Sequence, residues 1–151
     1  MNKIIIGCDP DSSKSGIATY INGNLSGVEC LSLIDIYFHF DDLCIRFEPS
    51  EIELHIENVK GVSGIFAQRT SGKGKAVALK MAQSVGTCKQ IQTEVERIAE
   101  HFGVKITRHQ VSKMWKKDKA QFEELTGWKK KSNEDSRSAA YFGYLGLTSS
   151  K

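Results

Sequence analysis

Hydrophobic positions recur along the chain at two spacings, and the switches between them predict alternating strands and helices. Ile4, Ile5, Ile6, Gly7 and Cys8 form a short run suited to a buried central strand over 4–8. Pro10 closes it, because proline offers no ladder donor. Positions 15–21 and 27–36 read as two further strands joined through Asn22-Gly23, the dipeptide preferred in tight hairpin turns. An antiparallel meander is therefore expected. Ile36, Phe40, Leu43, Cys44 and Phe47 then fall at helical spacing with Pro49 just beyond, which predicts a short crossover helix. Positions 53–59 set Leu54, Ile56 and Val59 among polar neighbours and read as a fourth strand. A right-handed crossover places it beside the first.

Positions 61–74 carry four glycines with Ser63, Thr70 and Ser71. Too polar to pack, they predict a mobile loop of a length that is often functional. Val77, Met81, Val85, Cys88, Ile91, Val95, Ile98 and Phe102 recur every three or four residues and predict a long amphipathic helix, ended by Gly103. A fifth strand is expected over 104–107 and helix over 110–125, before Gly127. Ser132, with Asp135 three residues on, resembles a capping box opening a last helix packed by Ala139, Ala140, Phe142 and Leu145. The expected fold is α/β: a five-stranded mixed sheet, its first three strands antiparallel and the rest parallel, with helices on both faces. One domain is expected over 1–151, long enough for a substantial core.

Composition narrows the class. The first apolar run is only three isoleucines and a glycine long, and no stretch approaches membrane-spanning length. A soluble, cytoplasmic protein is expected, with no membrane partner. Cys8, Cys30, Cys44 and Cys88 stand far apart, which suggests neither a zinc site nor a disulfide framework but small buried hydrophobes. The net charge is only +3, yet positions 29–57 hold eight acidic residues and one base, Arg46. Positions 58–93 hold no acid and six bases: Lys60, Arg69, Lys73, Lys75, Lys80 and Lys89. A second acid-free stretch, 101–117, adds Lys105, Arg108, Lys113, Lys116 and Lys117. One such run is as readily an ordinary solvated face. Two runs after an acidic half point to a basic surface for a polyanion such as nucleic acid.

Three acids lie in settings that a core does not favour. Asp9 ends the first strand, Glu57 lies in the fourth, and Asp135 sits at the start of the last helix. Singly, each has a plainer reading: Asp9 begins a turn before Pro10, Glu57 faces solvent on an edge strand, and Asp135 suits a helix dipole. Together they suit a divalent metal, because hard cations select oxygen ligands. Strands one and four are expected neighbours, and a helix crossing their ends brings the third carboxylate to the other two. Two-ion phosphodiester chemistry needs such convergence, with ions roughly 4 Å apart.

Ile5-Ile6-Gly7-Cys8-Asp9-Pro10 followed by Ser15-Gly16-Ile17-Ala18, then His55-Ile56-Glu57-Asn58-Val59, Leu79-Lys80-Met81-Ala82-Gln83-Ser84-Val85-Gly86 and Asp135-Ser136-Arg137-Ser138-Ala139, occur in one order over nearly the whole chain. This ordered set resembles the RuvC-like Holliday-junction resolvases of the RNase H-like superfamily, in a compact form similar to phage or prophage versions. The resemblance implies a homodimeric, Mg²⁺- or Mn²⁺-dependent endonuclease with two ions per site, cutting two symmetric strands of a four-way DNA junction. Asp9, Glu57 and Asp135 are then the metal ligands. A loop carrying Phe66 and Arg69 enters the junction, and Lys60, Lys73, Lys75, Lys80, Lys113, Lys116, Lys117 and Lys119 are its candidate DNA contacts. For Phe66 a loop anchor, and for the lysines of 113–119 a solvated helix face, weigh as much as those roles.

Two departures stand out. Asp11 replaces the glycine of the usual Asp-Pro-Gly, adding a charge near the site. Ser138 stands where a fourth acid is usual. Glu134, four positions earlier on the same helical face, is one substitute. A three-carboxylate site is another, and a protein that binds junctions without cutting them is a third. A nuclease of the same fold acting on flaps or RNA-DNA hybrids keeps all three acids.

Overall fold

The computed structural model describes residues 1–61 and 75–149, with the side chains of 75–82, 84 and 85 outside that description. Five strands, β1 (Ile4–Asp9), β2 (Ser15–Ile21), β3 (Asn24–Leu31), β4 (Ile52–Glu57) and β5 (Lys105–His109), form one sheet in the order β3-β2-β1-β4-β5. The β1–β2 and β2–β3 pairs are antiparallel, and β1–β4 and β4–β5 are parallel. Among the described residues, four α-helices accompany them: α1 (Leu33–Arg46), α2 (Lys75–His101), α3 (Lys119–Thr126) and α4 (Glu134–Thr148). The mixed five-stranded architecture is the expected one.

Strand alternation divides the core into two layers. Ile4, Ile6 and Cys8 of β1 and Ile52, Leu54 and Ile56 of β4 pack with Ile36, Phe40 and Leu43 of α1 and Val95 and Ala99 of α2. On the opposite face Ile5, Ala18 and Tyr20 meet Trp115, Phe122, Ala139 and Ala140. The parity that buries Ile4, Ile6, Ile52 and Ile56 under α1 and α2 turns Asp9 and Glu57 to the α4 face. Among the described residues, no helix is long and apolar enough to cross a membrane.

Several expected boundaries move. Asn22 and Gly23 both have positive φ, 50° and 87°, the tight turn that starts β3 at once, so Ile21 faces Asn24. The strand expected over 27–36 instead stops at Leu31, because Ser32 caps α1 by accepting from the Asp35 N–H. Ile34, read as strand, is an exposed helical residue. The fourth strand ends at Glu57, and Val59–Gly61 makes a 3-10 turn. The fifth runs two residues past Thr107, to His109. Helix expected over 110–125 begins only at Lys119, capped by Asp118. The capping box of α4 is Asn133 with Ser136, not Ser132 with Asp135. Of the four cysteines, all free, only Cys8 is fully buried.

Candidate metal centre

The last helix reaches the sheet through positions that lack a side chain. A methyl group added at Gly7 of β1 would lie 2.0 Å from the Ala139 carbonyl oxygen, and one at Gly16 of β2 would lie 2.0 Å from that of Asp135. Gly16 is the register partner of Asp9. The first turn of α4 therefore rests on the strand end beside Asp9. Because Asn133 and Ser136 cap the helix, the Asp135 carboxylate is not required for capping. Parallel pairing continues to Cys8 opposite Ile56, so Asp9 and Glu57, the next residues, end their strands side by side.

Lys116 joins the set. Its Nζ lies 3.3 Å from Asp9 Oδ2 and 3.5 Å from Asp135 Oδ1. The first approach is an ion pair without hydrogen-bond alignment, and the buried Asp9 Oδ2 has no hydrogen-bond partner. Glu57 accepts a long hydrogen bond from the Ser112 N–H, 3.4 Å. Burial pushes the Glu57 carboxyl up to about 8, and the Asp9 charge adds to that, against the Ser112 N–H and Lys116. Burial also raises Asp135, followed by the Asp9 charge and a hydrogen bond with Asp11, with Lys116 opposing. Burial works against the Lys116 ammonium, but Asp9, Asp135 and Glu57 outweigh it and its pKa rises. The carboxylates thus repel one another, and the Lys116 ammonium opposes that repulsion at Glu57 and Asp135.

Lys116 is held from behind. Trp115 is buried and has φ 67°, a left-handed conformation that is an outlier for a bulky residue. Arg137, buried on α4, donates from Nε to the Trp115 carbonyl (3.0 Å), from Nη2 to the Lys116 carbonyl (2.6 Å) and from Nη1 to Ser132 Oγ (3.1 Å). The Trp115 ring packs against Phe122, Tyr141 and Tyr144. This clamp explains why the segment before α3 is not helical. Sequence reasoning singled out neither Trp115 nor Arg137. The available signal was an arginine amid the small residues of an otherwise buried helix face.

The other expected contacts divide. Lys60 Nζ is 2.7 Å from Glu96 Oε1, and the buried Glu96 also takes Arg108 at 2.8 Å and Gln92 at 2.8 Å. Lys113 and Lys117 are exposed. Lys119 makes a loose ion pair with Glu123, 3.9 Å. Phe66, Arg69 and Lys73 lie outside the described residues, as do the side chains of Lys75 and Lys80. Glu134 is exposed, whereas Ser138 is buried with its Oγ unpartnered.

No protein-family model matches the chain, and no curated protein matches it. Solved structures do. Thermus thermophilus RuvC in complex with Holliday junction substrate aligns with a TM-score of 0.62 at 13% identity, over 98% of this chain and 94% of that one. A second structure of T. thermophilus RuvC gives 0.59 at 13% identity, over 97% and 94%. The chain has a RuvC-like fold.

Within this RuvC-like fold the carboxylates, with Lys116 beside them, form the donor set that a divalent cation would meet. Among the described residues no group of three or more His, Cys, Asp or Glu side chains is placed so that it could hold a metal ion, and Lys116 reaches two of the three acids. The donor chemistry nevertheless fits a hard cation: the donors are carboxylate oxygens, and the buried Asp9 Oδ2 is met by an ammonium without a hydrogen bond.

Proposed function

We propose that this chain is a divalent-metal-dependent endonuclease that resolves four-way DNA junctions as a homodimer. The observation that carries the reading is the buried Asp9 Oδ2, neutralised by the Lys116 ammonium and not by a hydrogen bond, beside Glu57 and Asp135 at strand ends that α4 crosses. The likeness to a RuvC that is bound to Holliday junction substrate supports the choice of substrate. Asp9, Glu57 and Asp135 would hold Mg²⁺ or Mn²⁺, which would supply Lewis-acid stabilisation and an acidified water. Ser112 orients Glu57 through its N–H. Lys116, fixed by the Arg137 clamp, brings a positive charge to the phosphodiester, and exposed Lys113 and Lys117 meet neighbouring phosphates. Two symmetric cuts require two such sites, hence the homodimer.

Purified protein with Mg²⁺ is expected to nick a synthetic four-way junction at paired positions, and Asp9→Asn to keep binding while cutting falls by about a hundredfold or more. Equal cutting of linear duplex, or cutting that survives Asp9→Asn, would overturn the reading. Preference for flaps or RNA-DNA hybrids in the same panel would reassign the substrate. Ser138, neutral where the resemblance calls for an acid, favours one second reading, a junction binder with a weakened site. That reading gives binding without product at any Mg²⁺ concentration.

A further inference from the structure

We propose that Lys129, Lys130 and Lys131, on the turn between α3 and α4, form with the 113–117 segment one basic rim that binds the sugar-phosphate backbone of duplex nucleic acid; this rests on the nucleic-acid part of the reading above, not on the cation. All three lysines are exposed. Among the described residues none of them forms an ion pair, and only Lys130 has a further partner, the Trp128 ring at 5.8 Å from its centroid. The turn that carries them is fixed at both ends and closed on itself. Gly127, at φ 74°, ends α3 and donates its N–H to the Glu123 carbonyl. Trp128 Nε1 donates to the Lys131 carbonyl at 3.1 Å. Beyond it, Ser132 Oγ accepts from Arg137 at 3.1 Å, and Asn133 Nδ2 donates to Cys30 Sγ on β3 at 3.2 Å. Three like charges at consecutive positions of a closed turn repel one another, and a bound polyanion relieves that repulsion.

Arg137 makes the rim continuous. The guanidinium that holds the Ser132 hydroxyl also holds the Trp115 and Lys116 carbonyls, so two lysine segments apart in sequence meet on one buried side chain. One end of the rim follows β5, where the Ser112 N–H reaches Glu57. The other stands against β3, through Asn133 and Cys30. These strands are the two edges of the sheet, four strand spacings of about 4.8 Å apart, or about 19 Å. Successive phosphates of one nucleic-acid strand rise about 3.4 Å, so a rim of that length suits a run of phosphates rather than a single anion. The carboxylates lie under its middle, since Lys116 reaches both Asp9 and Asp135. Acids on the same stretch do not cancel it. Asp118 caps α3 and Glu123 pairs with Lys119, which leaves exposed Glu124 and Glu134 against exposed Lys113, Lys117, Lys129, Lys130 and Lys131. A lipid surface finds no apolar anchor on the turn, because Trp128 is half-buried with its N–H engaged inside it.

The test is fluorescence anisotropy of a labelled four-way junction and a labelled linear duplex with the full chain, in EDTA across a range of potassium chloride, with thermal melts alongside. Lys129→Ala/Lys130→Ala/Lys131→Ala is expected to lower the slope of log affinity against log salt by about two to three on both DNAs. Its melt is expected to match wild type, because the three side chains are exposed. Lys129→Arg/Lys130→Arg/Lys131→Arg is expected to keep the wild-type slope. So is Lys3→Ala/Lys105→Ala, whose lysines stand at the opposite ends of β1 and β5 from the carboxylates. A wild-type slope in the alanine triple variant, or a fall per charge as large in Lys3→Ala/Lys105→Ala, would overturn the rim and leave the nuclease reading standing. Binding to phosphatidylserine vesicles that the alanine variant loses while it keeps its DNA slope would also overturn it. Wild-type protein that binds neither DNA would overturn both.

Discussion

At the scale of single residues, Glu57 carries the clearest consequence. Its carboxyl is raised to about 8 by burial and by the Asp9 charge. Between the ordinary carboxylate range and that value the folded, metal-free protein binds a proton that the unfolded chain does not. Stability therefore falls as pH rises through this window. Three histidines act in the other direction: burial lowers the pKa of His39, His55 and His109, so each costs stability as pH falls below its unfolded value. Comparison of wild type with Glu57→Gln isolates the carboxyl. In EDTA, Glu57→Gln is expected to be the more stable protein at pH 8, with the difference closing towards pH 5, as read by urea denaturation. A difference that stays constant over that range would show that Glu57 is not held protonated. The sequence exposed this residue as an acid on a strand, but not its pKa, which depends first on its burial and then on how closely Asp9 ends the neighbouring strand.

At the scale of elements, the site depends on how α4 is seated. Gly7 and Gly16 let the helix backbone touch the sheet backbone, and that contact places Asp135 beside Asp9. Gly16→Ala sets a methyl group against the Asp135 carbonyl, where neither partner is a movable side chain. The expected cost is about 3 kcal/mol, measured by urea denaturation, with weaker Mn²⁺ binding in whatever folds. Gly27→Ala on β3, where an added methyl meets nothing within 4 Å, is expected to stay within about 0.5 kcal/mol of wild type. Equal effects at the two positions would mean that the close approach does not seat the helix. Element type and order were legible because the apolar periods are long and Asn22-Gly23 is explicit. The irregular segment before α3 was not, because its shape comes from Arg137, 22 residues after Trp115. The capping residues of α4 were displaced by one for a related reason: Ser132 is engaged by Arg137, which leaves the cap to Asn133.

Across the whole molecule, the acidic first half and the basic stretches after it suggested a face for a polyanion, but folding removes some of those bases from the count. Lys60 and Arg108 both close on the buried Glu96, and truncating one side of such a network strands a charge rather than freeing a phosphate contact. Lys113 and Lys117 are exposed on the segment that carries Lys116 towards the carboxylates, so they flank any phosphate bound there. A lysine that neutralises a phosphate releases a counterion, and its loss lowers the slope of log affinity against log salt by about one. Lys113→Ala and Lys117→Ala are each expected to weaken four-way-junction binding and lower that slope by about one. Lys60→Gln, which keeps a hydrogen bond to Glu96, is expected to leave the slope unchanged. The measurement is fluorescence anisotropy with a labelled junction in EDTA across a range of potassium chloride, so cutting cannot interfere. A slope change in Lys60→Gln as large as in Lys117→Ala would place the phosphates along the α2 side of the sheet. DNA would then approach over the Glu96 network rather than over the 113–117 segment.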